Sequence, residues 1–193
     1  MLFRSKAAEC YEKGQLPLEA IQLYKELGRN EKVGDLYLSI GKRKEARPWF
    51  EKVVEQYLSR FEYTRASLIT RVKLEEPEAA QALLLKGWRT DKDAVNCLNV
   101  YFSAIDDPRQ LEMEIKKIYA EETNEGNKEK YLQVLKNQVS QYSGIPDTVR
   151  NIAYEIVAER IGDDPFIASE LQAFNKKDRR LLKDILIYRQ RAK

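Results

Sequence analysis

Residues 11–28 read YEKGQLPLEAIQLYKELG and residues 37–54 read YLSIGKRKEARPWFEKVV. Shifted by 26 positions, the second stretch follows the pattern of the first. The pairs are Ala8/Gly34, Tyr11/Tyr37, Glu19/Glu45, Ala20/Ala46, Leu23/Trp49, Tyr24/Phe50 and Leu27/Val53. The physical logic is that of a helical hairpin. A small residue lets the first helix approach the second, and a tyrosine one turn later fills the space between them. An alanine in the second helix receives that packing, and an aromatic four residues on covers the seam. One such hairpin cannot bury its apolar stripe alone, so it stacks on neighbours.

The punctuation around the repeat is consistent. Pro77, Pro108, Pro146 and Pro165 each open a periodic apolar segment, and Gly28, Gly41, Gly87, Gly126, Gly144 and Gly162 each follow or separate one. Proline suits a first helical turn because its missing N–H would be unpaired there anyway, and glycine suits the residue after a helix because it accepts positive φ. The pairs Asp106-Asp107 and Asp163-Asp164 read as N-caps at the positive end of a helix dipole. Helices are expected at about 2–13, 16–28, 31–40, 43–59, 60–74, 76–87, 92–104, 108–123, 128–142, 146–161, 165–174 and 177–191, with no alternating stretch of strand type. The fold class is all-α: antiparallel helical hairpins stacked in a right-handed α-α superhelix.

This pattern resembles the tetratricopeptide (TPR) repeat. The small–aromatic–small–aromatic signature of that family falls on Ala8, Tyr11, Ala20, Tyr24 and Leu27, then on Gly34, Tyr37, Ala46, Phe50 and Val53. The step of 26 departs from the family's 34 and shortens the first helix of the second hairpin by about two turns. Shortened units of this kind look like those in the helical arms of coat and transport-complex subunits. The resemblance covers roughly residues 4–57. A third copy near Ala66–Leu84 is weak, with Ala79 or Ala80 in the small position and no tyrosine where one is expected. The organisation read from this is TPR-like hairpins over 1–60 and less regular hairpins over 61–193, ending in a basic capping helix.

The chemistry the sequence lacks narrows the function. Its 193 residues contain no histidine, which removes the commonest general base and metal ligand. No phosphate-binding glycine loop or metalloprotease helix motif occurs. Glu51 and Glu55 near Lys52, and Glu112 near Lys116, read as solvated helix faces with ion pairs. Cys10 and Cys97 make no metal-ligand spacing and read as two partly buried free thiols. No signal-peptide run or membrane-length apolar segment is present. The expectation is a non-enzymatic cytoplasmic protein without cofactors. It is a scaffold or adaptor for a protein or peptide partner, with self-association through an open end of the stack as a further option. The first hairpin begins almost at Met1 with no capping segment ahead, which points to a module of a larger protein or complex.

Candidate contact residues follow from the resemblance. The groove positions of TPR-like first helices are Glu9, Glu12 and Lys13, then Asp35, Leu38 and Ser39. They lack the Lys, Arg and Asn that grip a C-terminal carboxylate, and their acidic character fits a basic or amphipathic segment. Trp88, in KGWRTDKDA, either caps a hydrophobic seam or is an exposed anchor for a partner.

The charge is uneven. Residues 1–75 carry 15 Lys/Arg against 11 Asp/Glu, residues 76–175 carry 11 against 18, and residues 176–193 carry 8 against 2. In that last segment Lys176, Lys177, Arg179, Arg180, Lys183, Arg189 and Arg191 oppose a face of Leu181, Leu182, Ile185 and Leu186. It reads as a capping helix, or as a dock for an anionic membrane, RNA or an acidic protein groove. Nucleic acid is the less favoured partner, because no other part of the chain interleaves aromatic and basic residues.

Overall fold

The computed structural model describes residues 2–139 and 146–174, and among these all regular structure is helical. In chain order the helices are α1 (Leu2–Lys13), α2 (Pro17–Glu26), α3 (Asn30–Ser39), α4 (Arg43–Ser59), α5 (Tyr63–Val72), α6 (Pro77–Arg89), α7 (Ala94–Ser103), α8 (Pro108–Glu122), α9 (Lys128–Val139) and α10 (Asp147–Arg160). A 3₁₀ helix (Pro165–Phe174) follows. Among the described residues no helix is long and apolar enough to cross a membrane. The architecture is all-α and solenoid-like. The chain divides into two compact units, Met1–Asp93 and Ala94–Lys193. The boundary expected at residue 60 falls between α4 and α5, which pack on each other within the first unit.

In the first unit each helix packs on the one before and the one after it. The backbone shows why the sequence repeats. The carbonyls of Tyr11, Tyr24 and Tyr37 accept the amides of Leu16, Arg29 and Lys42 at 2.9, 2.9 and 2.8 Å. Inside each closure one residue is left-handed: Gln15 (φ 59), Gly28 (φ 67) and Gly41 (φ 72). This is a Schellman-type helix stop, recurring every thirteen residues, so the 26-residue repeat is two such steps. Gly14 stands one residue ahead of the position that needs positive φ, and Gln15 takes it instead. Tyr57 and Glu62 close α4 in the same way at 2.9 Å, but only after a longer helix.

Packing follows the predicted small and aromatic positions. Ala8, Ala20, Ile21, Tyr24, Val33 and Leu36 form one core cluster, and Ala46, Phe50, Val53 and Ile69 form the next. The Phe50 ring lies directly over Gly34, where an added Cβ would stand 2.7 Å from two of its carbons. The weak third copy is a full hairpin, α5 on α6. Counted from the helix starts, Ser67 and Thr70 stand where the second hairpin has Gly34 and Tyr37, and Ala80 and Leu84 stand where it has Ala46 and Phe50.

The second unit packs differently. α7 lies on α9, while α8 lies on α10, which also contacts α9 and the 3₁₀ helix. Its core includes Leu98, Phe102, Ile115, Tyr131, Leu135 and Ile156, all wholly buried. The two aspartate pairs cap as predicted: Asp107 accepts the Arg109 amide at 3.1 Å, and Asp164 accepts the Phe166 amide at 2.9 Å. Cys97 is buried, but Cys10 is exposed rather than partly buried.

Candidate functional site

The third and fourth helices differ in length, and that difference makes a notch. α3 has 10 residues and α4 has 17. An antiparallel partner seven residues longer overhangs by about 10 Å at 1.5 Å per residue. Beside the overhang lies a cleft of about 440 Å³. One wall is the turn and first helical turn at Gly28, Arg29, Asn30, Glu31 and Lys32, with Asp35 below. The other is the far half of α4, at Val53, Gln56, Tyr57 and Arg60.

Electrostatics divide the lining into engaged and unengaged groups. Lys32 donates to Glu12 at 3.1 Å, and Lys73 donates to Asp35 at 2.6 Å. Arg29, Glu31 and Arg60 form no ion pair among the described residues. Arg29 is the N-cap residue of α3 and provides no side-chain cap. The first N–H groups of α3 therefore point toward the notch with the positive end of the helix dipole. Two guanidiniums and this helix end suit carboxylates on an extended segment.

The residues expected to line an acidic groove are distributed otherwise. Glu9 and Lys13 are exposed on α1. Glu12 accepts the Tyr24 hydroxyl at 2.9 Å as well as Lys32. Burial would raise the Glu12 carboxyl, but the hydrogen bonds from Lys32 and Tyr24 outweigh it and hold the carboxyl below its ordinary value. Asp35 lines the notch, paired to Lys73. Leu38 packs half-buried against the second core cluster, and the Ser39 hydroxyl donates to the Leu36 carbonyl at 2.8 Å. Of the acidic residues lining the notch, Asp35 is paired and Glu31 is not.

Trp88 is 1% exposed. α6 runs through Gly87 to Arg89 instead of ending at residue 87, and the left-handed stop comes at Asp91 (φ 59). Trp88 therefore lies one turn beyond buried Leu84 on the inner face. Of its two readings the hydrophobic seam holds, and the exposed anchor is corrected. The basic residues Lys176, Lys177, Arg179, Arg180, Lys183, Arg189 and Arg191 lie outside the described residues. Sequence reasoning missed Arg29, Gln56, Tyr57 and Arg60; the available signal was the length mismatch between two neighbouring helices.

Tyrosine–carboxylate pairs recur through both units and give a pH prediction. Burial, followed by the bond and charge of Glu12, pushes Tyr24 up to about 12. Burial with Glu114 does the same for Tyr101, and burial with Glu155 for Tyr119, each to about 12. Burial also raises Tyr131, whose hydroxyl donates to the Ile115 carbonyl at 2.5 Å. A raised phenol is protonated, and its contribution to stability present, below the unfolded value near 10. From there to about 12 the unfolded chain releases protons that the folded chain keeps, so stability falls through that window. In an absorbance titration of tyrosinate, these four of the 11 tyrosines should ionise late or only on unfolding. A single titration of all 11 near the ordinary value would refute this.

Comparison with protein-family models, with curated proteins and with solved structures gives no match in any of the three.

Proposed function

We propose that this chain is a non-enzymatic protein–protein interaction module, a scaffold or adaptor built on TPR-like hairpins. The notch beside α4 receives an extended, carboxylate-bearing segment of a partner protein. The observation that carries this reading is the pairing of an unfilled cleft with two unengaged arginines, Arg29 and Arg60, on opposite walls. The walls are held by helix packing, so binding requires little ordering of the chain. Glu12 and Asp35, two of the three acidic residues first expected to attract a basic segment, are paired with Lys32 and Lys73, which favours a negatively charged partner segment at the notch.

The test is capture from cell lysate at low and high salt with the chain and with its Arg29→Glu/Arg60→Glu variant. Both side chains are exposed, so the variant should fold normally. A discrete protein retained at both salts and reduced about tenfold or more by the variant is the expected result. A protein held equally by the variant would remove the notch from the proposal. Nucleic acid or lipid released by salt would move the function to the basic segment at 176–191.

A further inference from the structure

Two lysines distant in sequence meet over one tryptophan beside the notch. Lys25 of α2 stands over the rings of Tyr37 and Trp49, with Nζ 5.2 and 5.3 Å from their centres, and donates to the Tyr37 hydroxyl at 2.9 Å. Lys52 of α4 stands over the same Trp49 ring at 4.5 Å. Trp49 itself is half-buried against the first core cluster. Such contacts hold an ammonium group in place without neutralising it. Neither lysine forms an ion pair among the described residues. This platform continues the notch on both walls. The Gly28 amide, in the turn that also supplies Arg29 to the notch, donates to the Lys25 carbonyl at 3.1 Å. On α4, Trp49, Lys52, Gln56 and Arg60 follow one another at i+3 and i+4 spacing, and the last two line the notch. Lys25, Lys52, Arg29 and Arg60 thus make one run of cations with no paired carboxylate. Exposed Glu45, one turn before Trp49, ends it.

We propose that the acidic segment received by the notch continues along α4 onto this platform and carries a second carboxylate three or four residues from the first. The proposal rests on the reading of the notch given above and specifies its partner further. Charge complementarity selects the occupant: two positive centres, Arg29 with Arg60 and Lys25 with Lys52, call for two negative ones. Helix geometry sets their spacing. Lys52 and Arg60 lie on α4 about 12 Å apart at 1.5 Å per residue. An extended chain covers that in three or four residues at about 3.3 Å each. The tryptophan disfavours nucleic acid. An aromatic that stacks a base presents a bare ring face, whereas the Trp49 ring is already engaged by two ammonium groups of its own chain.

Calorimetric titration with short, capped serine-glycine peptides tests this. Each peptide carries two glutamates, adjacent in the first, about four positions apart in the second and about eight apart in the third. The chain should bind the second at least about fivefold more tightly than the others. Trp49 emission should shift to the blue as that peptide covers it, while Trp88, 1% exposed, stays constant. Lys52→Glu should weaken binding about fivefold or more, and because Lys52 is exposed the variant should fold normally. The Arg29→Glu/Arg60→Glu variant separates this proposal from the notch itself. Binding lost in that variant but indifferent to glutamate spacing and to Lys52→Glu, or binding that leaves Trp49 emission unchanged, would overturn the extension and leave the notch standing. Binding indifferent to both variants, or no binding up to about millimolar peptide, would overturn both. An oligodeoxythymidylate bound more tightly than every acidic peptide would overturn the choice of occupant.

Discussion

Gly34→Val should destabilise the first unit by about 3 kcal/mol, at the upper end for overpacking. A Cβ at residue 34 would lie 2.7, 2.7 and 3.0 Å from three ring carbons of Phe50, and valine adds two methyls beyond it. The ring cannot swing aside cheaply. It is wholly buried, packed among Tyr37, Leu38, Tyr57 and Leu74, with Lys73 5.6 Å from its centre. Valine's better helix propensity returns only a few tenths of a kcal/mol. The mechanism is tested by a cycle with Phe50→Leu. Each single change should destabilise, and the pair should cost at least about 1 kcal/mol less than their sum, because the smaller side chain vacates the contested space. Urea unfolding measures all four proteins. Strict additivity, or a neutral Gly34→Val, would show that the two helices do not meet there.

Trp88→Ala should cost about 3–5 kcal/mol, as for other large aromatic truncations in a core. The side chain is 1% exposed and among the largest wholly buried groups of the molecule. Its indole fluorescence should be blue-shifted and slow to quench, read in a Trp49→Phe variant that leaves Trp88 as the only tryptophan. A stability loss under about 1 kcal/mol would contradict the burial and revive a role at an interface.

Helix existence was legible because glycine, proline and aspartate mark the ends. Pro17, Pro77 and Pro108 each stand in the first turn of a helix, and Gly28 and Gly41 each take the left-handed stop. Where a stop used another residue, the reading slipped. Glu75 and Asp91 hold positive φ without being glycine, and Gly87 looked like a stop but lies inside a helix; Gln15 does the same after α1, whose end at Lys13 was still read correctly. The third hairpin was faint because serine and threonine hold the positions that glycine and tyrosine hold before it. The notch was invisible to residue patterns. It arises from a difference between two helix lengths, and its arginines resemble any other surface arginine until the ion pairs around them are known. The pairing of Glu12 with Lys32 and of Asp35 with Lys73 was hidden for the same reason: a sequence shows charges but not which of them are already paired.

The thirteen-residue step also sets a rule of parity for insertions and deletions. Each step is one helix and one reversal of direction. Removing a single step would turn every later helix end for end, and would ask Val33, Gly34 and Tyr37 to serve where Ala20 and Tyr24 now stand. Removing two restores both direction and role. Over α1 to α3 such a chain can gain or lose length in paired steps of 26 and keep its packing pattern, while an unpaired step of 13 breaks the contacts across the junction.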